Sequence, residues 1–144
     1  MKLLYGHDEY VAKEVAKAIG YVDFGPCVAI GVIEDDGKLI GGVVYHNFIV
    51  GPDGKPICIE LSLAMVDKRW CTRHNISQLL AYPFSQLNVK RVQVTCHEND
   101  TFLRKLHARF GFTFEGIARE AHPLGGNSAV SSMLQHECKW IKHG

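Results

Sequence analysis

The stretch RWCTRHNISQLLAYPF, Arg69 to Phe84, is the part of the chain best suited to holding an anion. It reads as a strand that turns sharply into a helix. The first turn of a helix offers free N–H groups and the positive end of its dipole. Thr72 suits the N-cap, while Arg73 and His74 bring side-chain donors, Arg73 as a fork matched to phosphate oxygens. The competing reading is an ordinary capped helix with two solvated basic residues. Glu60 is the second candidate. In ICIELSLAMV it shares a face with Ser62 and Ala64, since side chains alternate along a strand. A carboxylate in a central strand is costly to bury unless paired or working, so Glu60 reads as a general base or as the partner of an Arg or Lys. Metal chemistry finds little support: His136 and Cys138 alternate and Cys96 precedes His97, but no four-ligand spacing emerges, so no metal is expected. Spacing alone supports no Ser/His/Asp or Cys/His nucleophile arrangement.

The elements that position these residues form one expected domain over 1–144, long enough for a sizeable core. With 22% charged residues and a net charge of +1, the chain lacks the strongly basic character of a bulk nucleic-acid binder. No apolar run reaches the roughly 20 residues of a membrane helix, and the start turns polar too soon for a secretory leader. Five scattered cysteines without a Cys-x-x-Cys pair read as reduced thiols, so the expected location is cytoplasmic.

Along the chain, MKLLYG suggests a short strand. In HDEYVAKEVAKAIG, Val11, Val15 and Ile19 form one helical stripe, ended by Gly20. Two β-rich runs flank Asp35-Asp36-Gly37-Lys38, a hairpin cue, and ICIELSLAMV is apolar enough for a strand covered on both faces. A helix follows over TRHNISQLLAYPFSQL, kinked or ended near Pro83. RVQVTCH is a strand and NDTFLRKLHARFG a helix. FTFEGIAREA and AVSSMLQHECKW read as two last strands. The order β-α-β-β-β-α-β-α-β-β predicts an α/β (α+β) three-layer fold, its mixed sheet of six or seven strands having parallel pairing at the centre.

HENDTFLRKLHARFGFTFEGIARE resembles the C-terminal half of the GNAT superfamily of N-acetyltransferases, through Asn99, Gly111-Phe112, Glu115-Gly116 and Arg119. REAHPLGGNSAVSSMLQHECKW is similar to the branch that acetylates ribosomal-protein N-termini, and WCTRHNISQLLAYPFSQLNVKRV looks like small phage and prophage members. The resemblance implies acetyl-coenzyme A as co-substrate, held by the turn after the central strand at Cys71, Thr72, Arg73, His74, Asn75, Ile76 and Ser77. Here His74 and Ile76 occupy the superfamily's glycine positions. It further implies Glu60 as the base that deprotonates an amine, directly or through water. A backbone N–H near Met65 or Val66 would stabilise the oxyanion. Asn99 would contact the pantetheine arm or the splayed strand end. His107 falls where relatives carry a Tyr that protonates the thiolate; the other reading is a surface histidine. Tyr45, His46 and Asn47 end a strand that lies beside the cleft in this fold, so they are substrate candidates or a satisfied strand end. Trp70 either walls that pocket or staples the start of the helix. A small-molecule or peptide amine is the implied partner, and a homodimer the family-level expectation.

Two other readings stay open. A phage family typified by the adenine-modifying Mom protein looks like an altered GNAT fold that acts on DNA bases. Lys68, Arg69, Arg73, Lys90, Arg91, Arg104, Lys105 and Arg109 could gather along a phosphate backbone for that purpose. The third reading is a non-catalytic GNAT-like module.

Overall fold

The computed structural model describes residues 1–143. Seven strands form one sheet: β1 (Lys2–Leu4), β2 (Cys27–Ile33), β3 (Leu39–Val50), β4 (Pro56–Met65), β5 (Arg91–His97), β6 (Thr113–Ala118) and β7 (Ser128–Leu134). Their spatial order is β1-β2-β3-β4-β5-β7-β6. Three helices cover it: α1 (Asp8–Ile19), α2 (Arg73–Ala81) and α3 (Thr101–Phe110). The mixed three-layer architecture expected from the element order is the one observed. Among the described residues its one parallel pair, β4 with β5, lies at the centre.

Alternation decides which helix covers which face. The stripe of Val11, Ala12 and Val15 on α1 packs against Ala29 and Val44. That contact is close: a Cβ on Gly42 would collide with Val11. Asp8, in the first turn of α1, accepts the Ala29 N–H at 3.0 Å and ties the helix to β2. The opposite face carries Val43, Tyr45, Leu61 and Val94, buried beneath Ile76, Leu79 and Leu80 of α2. Strand β4 is thus sandwiched, as its apolar run predicted.

Pro83 acts as expected, with a further consequence. Lacking an N–H, it cannot satisfy the Leu79 carbonyl one turn earlier. The helix widens into a π-type turn over Tyr82–Gln86, closed by the Leu87 N–H on the Tyr82 carbonyl at 3.0 Å. The Leu79 carbonyl instead accepts the Tyr45 hydroxyl at 2.6 Å. The chain's last strand is shorter than its pattern suggested. β7 ends at Leu134 and a 3-10 turn follows over Gln135–Glu137. Trp140 then folds back and donates its Nε1–H to the Phe110 carbonyl at the end of α3, at 2.8 Å.

Tyr45→Phe is expected to lower stability by about 1–3 kcal/mol, because it strands a buried carbonyl that its own helix cannot satisfy. Urea denaturation checks this. An unchanged midpoint would show that the Leu79 carbonyl finds another donor.

Candidate active site

The functional geometry starts where the parallel pair ends. β4 and β5 are in register from Cys58 opposite Arg91 to Leu61 opposite Val94. Beyond that point β4 runs on to Met65 beside β3, and β5 runs on to His97 beside β7. The two strands therefore part. The gap opens into a cavity of about 530 Å³ lined by Ser62, Leu63, Thr95, Cys96, His107 and Leu124 among others. On the α2 side it adjoins a small apolar pocket under Trp70, Ile76 and Leu79, which shares Leu61, Leu63, Val94 and His107 with the gap. On the α1 side lies a second cavity of about 540 Å³ that holds Glu60, His46 and Asn47. Tyr21, Thr95 and Leu124 line both larger cavities, so they meet.

Backbone donors face the gap. In the β3–β4 ladder the Val66 N–H is taken by the Ile40 carbonyl at 2.9 Å. Along an antiparallel ladder alternate residues turn their N–H to opposite edges. Leu63 and Met65 therefore present theirs to the side where β5 has left. Val66, expected as an alternative oxyanion donor, is already engaged, and its exposed side chain lies outside all three of these cavities.

Glu60 sits opposite His46 on β3 and Gln93 on β5. Its carboxylate is within reach of the Gln93 Nε2–H at 3.2 Å, the Asn47 Nδ2–H at 3.4 Å and the Thr95 hydroxyl at 3.4 Å. The His46 Nε2 lies 3.9 Å away and 2.9 Å from the Ser62 Oγ. His46 is buried, and that desolvation lowers its pKa against the opposing pull of Glu60. Glu60 is thus surrounded by neutral donors, with no Arg or Lys paired to it among the described residues.

The start of α2 is ordered by its own side chains. Thr72 caps the helix by accepting the Asn75 N–H at 3.1 Å. Asn75 is buried, its Nδ2–H bound to the Trp70 carbonyl at 2.9 Å. Arg73 and His74, first in the helix, have no intrahelical acceptor for their N–H groups. The Arg73 guanidinium lies 5.7 Å from the centroid of the Trp140 ring, over which the Lys139 ammonium also sits at 5.2 Å. The helix end is therefore cationic and N–H-bearing, and its chain neighbours Trp70 and Ile76 line the apolar pocket.

No protein-family model and no curated protein matches the chain. Solved structures do. A spermidine N-acetyltransferase chimera from Vibrio cholerae superposes with a TM-score of 0.71 at 13% identity, covering 94% of this chain and 98% of that one. A GCN5-related N-acetyltransferase from Brucella melitensis gives 0.66 at 21%, covering 88% of this chain and 66% of that one. The ribosomal-protein-S5-alanine acetyltransferase from Vibrio fischeri gives 0.64 at 16%, covering 92% and 69%. The fold is that of the GNAT N-acetyltransferases.

Within the GNAT fold the expected residues divide. Glu60, His46 and Asn47 come together at one cavity, while Thr72, Arg73, His74 and Ser77 lie along the start of α2. Tyr45 does not join His46: neighbours on a strand point to opposite faces, and Tyr45 is buried under α2. Trp70 is likewise a core residue on the α2 side, 6.3 Å from Phe110 between ring centroids, and does not wall the Glu60 cavity. Ile76 is buried in the same core, and Asn75 is a structural amide. Cys71 is exposed and ends the preceding 3-10 turn. Asn99 is exposed and lines neither larger cavity; its neighbours His97 and Asp100 line the gap in its place. His107 is no surface histidine. It is the buried residue of α3, and burial lowers its pKa.

The basic residues do not form one free stripe. Arg69 is held by Asp67 and Glu34, and its hydrogen bonds lower the Asp67 carboxyl to about 2. Arg91 pairs with Glu115 at 2.6 Å, and Arg104 donates to the Glu98 carbonyl at 3.0 Å. Sequence reasoning missed Tyr21, Asp23 and Phe24, in a loop without periodicity. It also missed Gln93 and Thr95, although RVQVTCH alternates and so marks them as one face of β5.

Burial holds His46 and His107 below the ordinary histidine value of 6.5. Between their folded values and that value the unfolded chain binds more protons, so stability rises with pH across this window and is lost as pH falls through it. The denaturation midpoint is expected to be lower at about pH 5.5 than at about pH 7.5, with a smaller drop in His107→Gln. A flat profile would mean that both imidazoles protonate freely in the folded protein.

Proposed function

We propose that the protein is an acetyl-coenzyme A-dependent N-acetyltransferase that acetylates a small-molecule or peptide amine by direct attack. The observation that carries this reading is the junction of two cavities where β4 and β5 part, one holding a carboxylate that pairs with no Arg or Lys among the described residues and the other edged by backbone donors. When bound, acetyl-coenzyme A supplies a thioester carbonyl open to amine attack and a thiolate leaving group. The residues present fit such a group. Arg73 and His74 offer main-chain N–H groups for phosphate, and the Arg73 and Lys139 side chains add positive charge.

Glu60 takes the proton from the attacking amine, positioned by Gln93, Asn47 and Thr95. Leu63 and Met65 turn their N–H groups to the gap, where charge on the acyl oxygen is stabilised. His107 lines the same gap and would hydrogen-bond a departing thiolate through its ring N–H, with water as the source of the proton. The glycines missing from the turn are replaced in this reading by a side-chain cap and cations. Glycine is required only where φ is positive or a ligand presses on the backbone. Thr72, the N-cap, has an extended backbone with φ −104°, and Arg73 begins the helix itself. The likeness to the Vibrio fischeri enzyme makes a peptide N-terminus one acceptor to test.

Calorimetric titration of acetyl-coenzyme A tests the proposal. A Kd on the order of micromolar is expected, weakened about tenfold or more when Thr72 and Arg73 are both replaced by Ala. No binding to the wild type would overturn the reading. Once an acceptor is found, Glu60→Gln should lower kcat by about 10²–10⁴ with the cofactor Kd unchanged.

A further inference from the structure

The cavity that holds Glu60 has a one-sided charge balance. Glu60 and Asp23 line it, and among the described residues no Lys or Arg does. Arg91, on the same strand as Gln93 and Thr95, is committed elsewhere. Arg91 bonds Glu115 at 2.6 Å and the Gln93 Oε1 at 2.8 Å. That second bond orients the Gln93 amide so that its Nε2–H meets Glu60. Burial lowers the His46 pKa, against the opposing pull of Glu60. An anion placed here would meet two carboxylates and no counter-charge, a costly arrangement in a partly desolvated site.

The apolar side of the cavity is aromatic. The Tyr21 and Phe24 ring centroids lie 5.7 Å apart, and Phe24 stands 4.9 Å from the His46 ring. Burial and then the charge of Glu60 raise the Tyr21 phenol, so Tyr21 is uncharged and within reach of the Glu60 field. Aromatic faces beside carboxylates favour a cation with an apolar body.

We infer that the acceptor is a cationic amine with an apolar or aromatic body and no carboxylate or phosphate of its own. Its nitrogen is drawn to Glu60 and Asp23 while its body lies against Tyr21 and Phe24. An arylalkylamine and the α-amine of a peptide both meet this description; a free α-amino acid and a phosphorylated amine do not. The inference rests on reading the Glu60 cavity as the acceptor side of an acetyltransferase.

Three probes that share a ring and an amine separate the cases: phenethylamine, phenylalanine amide and phenylalanine. Each is titrated calorimetrically into the full chain without coenzyme A, then offered as substrate with acetyl-coenzyme A. Phenethylamine and phenylalanine amide are expected to bind about tenfold or more tighter than phenylalanine, with the ratio shrinking at high salt. Their relative strength tells a small-amine acceptor from a peptide one. Asp23 accepts the Gly25 N–H at 2.9 Å, a bond that Asp23→Asn can keep, so that variant should narrow the discrimination without disturbing the loop. Asp23→Lys should shift preference toward phenylalanine. Equal or tighter binding of phenylalanine, or no binding of any probe, overturns the inference. Because binding is read without coenzyme A, a failed cofactor titration leaves this selectivity standing, and lost selectivity with intact cofactor binding sinks this inference alone.

Discussion

The structure depends on the parting of two parallel strands. β4 and β5 pair over four residues and then separate, each held from behind by an antiparallel neighbour, β3 or β7. Main-chain donors and acceptors that would have paired across the sheet instead face a cavity. Buried backbone groups need partners, so a ligand with its own amide or carbonyl groups is the natural complement to such an edge. The parting also sets the relation between the two cavities: Glu60 and Gln93 belong to the last paired rungs, Ser62 and Thr95 to the first residues past them. Catalytic and positioning groups are therefore fixed by strand register.

The helices serve this arrangement from opposite sides. α1 packs against Gly42 so closely that no side chain fits between helix and strand, and its C-terminus delivers Tyr21 and Phe24 to the rim of the Glu60 cavity. α2 seals the other face with a core of Ile76, Leu79 and Leu80, while its first turn stays exposed and cationic. Pro83 would leave a carbonyl unsatisfied in that core, and the Tyr45 hydroxyl satisfies it from the sheet below. A residue with the look of a substrate contact thus turns out to hold a broken helix against its strand.

Polar groups around Glu60 are arranged to be neutral donors. Arg91 is drawn off by Glu115, and Gln93 passes on its orientation without its charge. Had Arg91 paired with Glu60 directly, the carboxylate would be a structural ion pair with weak basicity. Register sets Arg91 two positions back from the Glu60 rung, Arg91 opposite Cys58 and Gln93 opposite Glu60. That offset keeps the carboxylate chemically free.

Much of this was legible in the chain itself. The helical stripe of α1, the hairpin at Asp-Gly, the apolar run of β4 and the left-handed glycines 20 and 111 are local signals, and each element formed where its pattern placed it. Glu60 could be singled out because a charge inside an apolar strand is conspicuous in one dimension. Tyr45 and Trp70 could not be assigned correctly, since which face of a strand meets the cleft depends on the helix packed against it. The partners of Glu60 come from β3 and from β5, more than thirty residues downstream. The sequence by itself determined the elements, their order and the carboxylate, because these follow from periodicity and local backbone preference. Only the tertiary structure decided that β4 and β5 part after Leu61, that His107 is buried and that no Lys or Arg among the described residues pairs with Glu60, because these depend on register between strands distant in the chain.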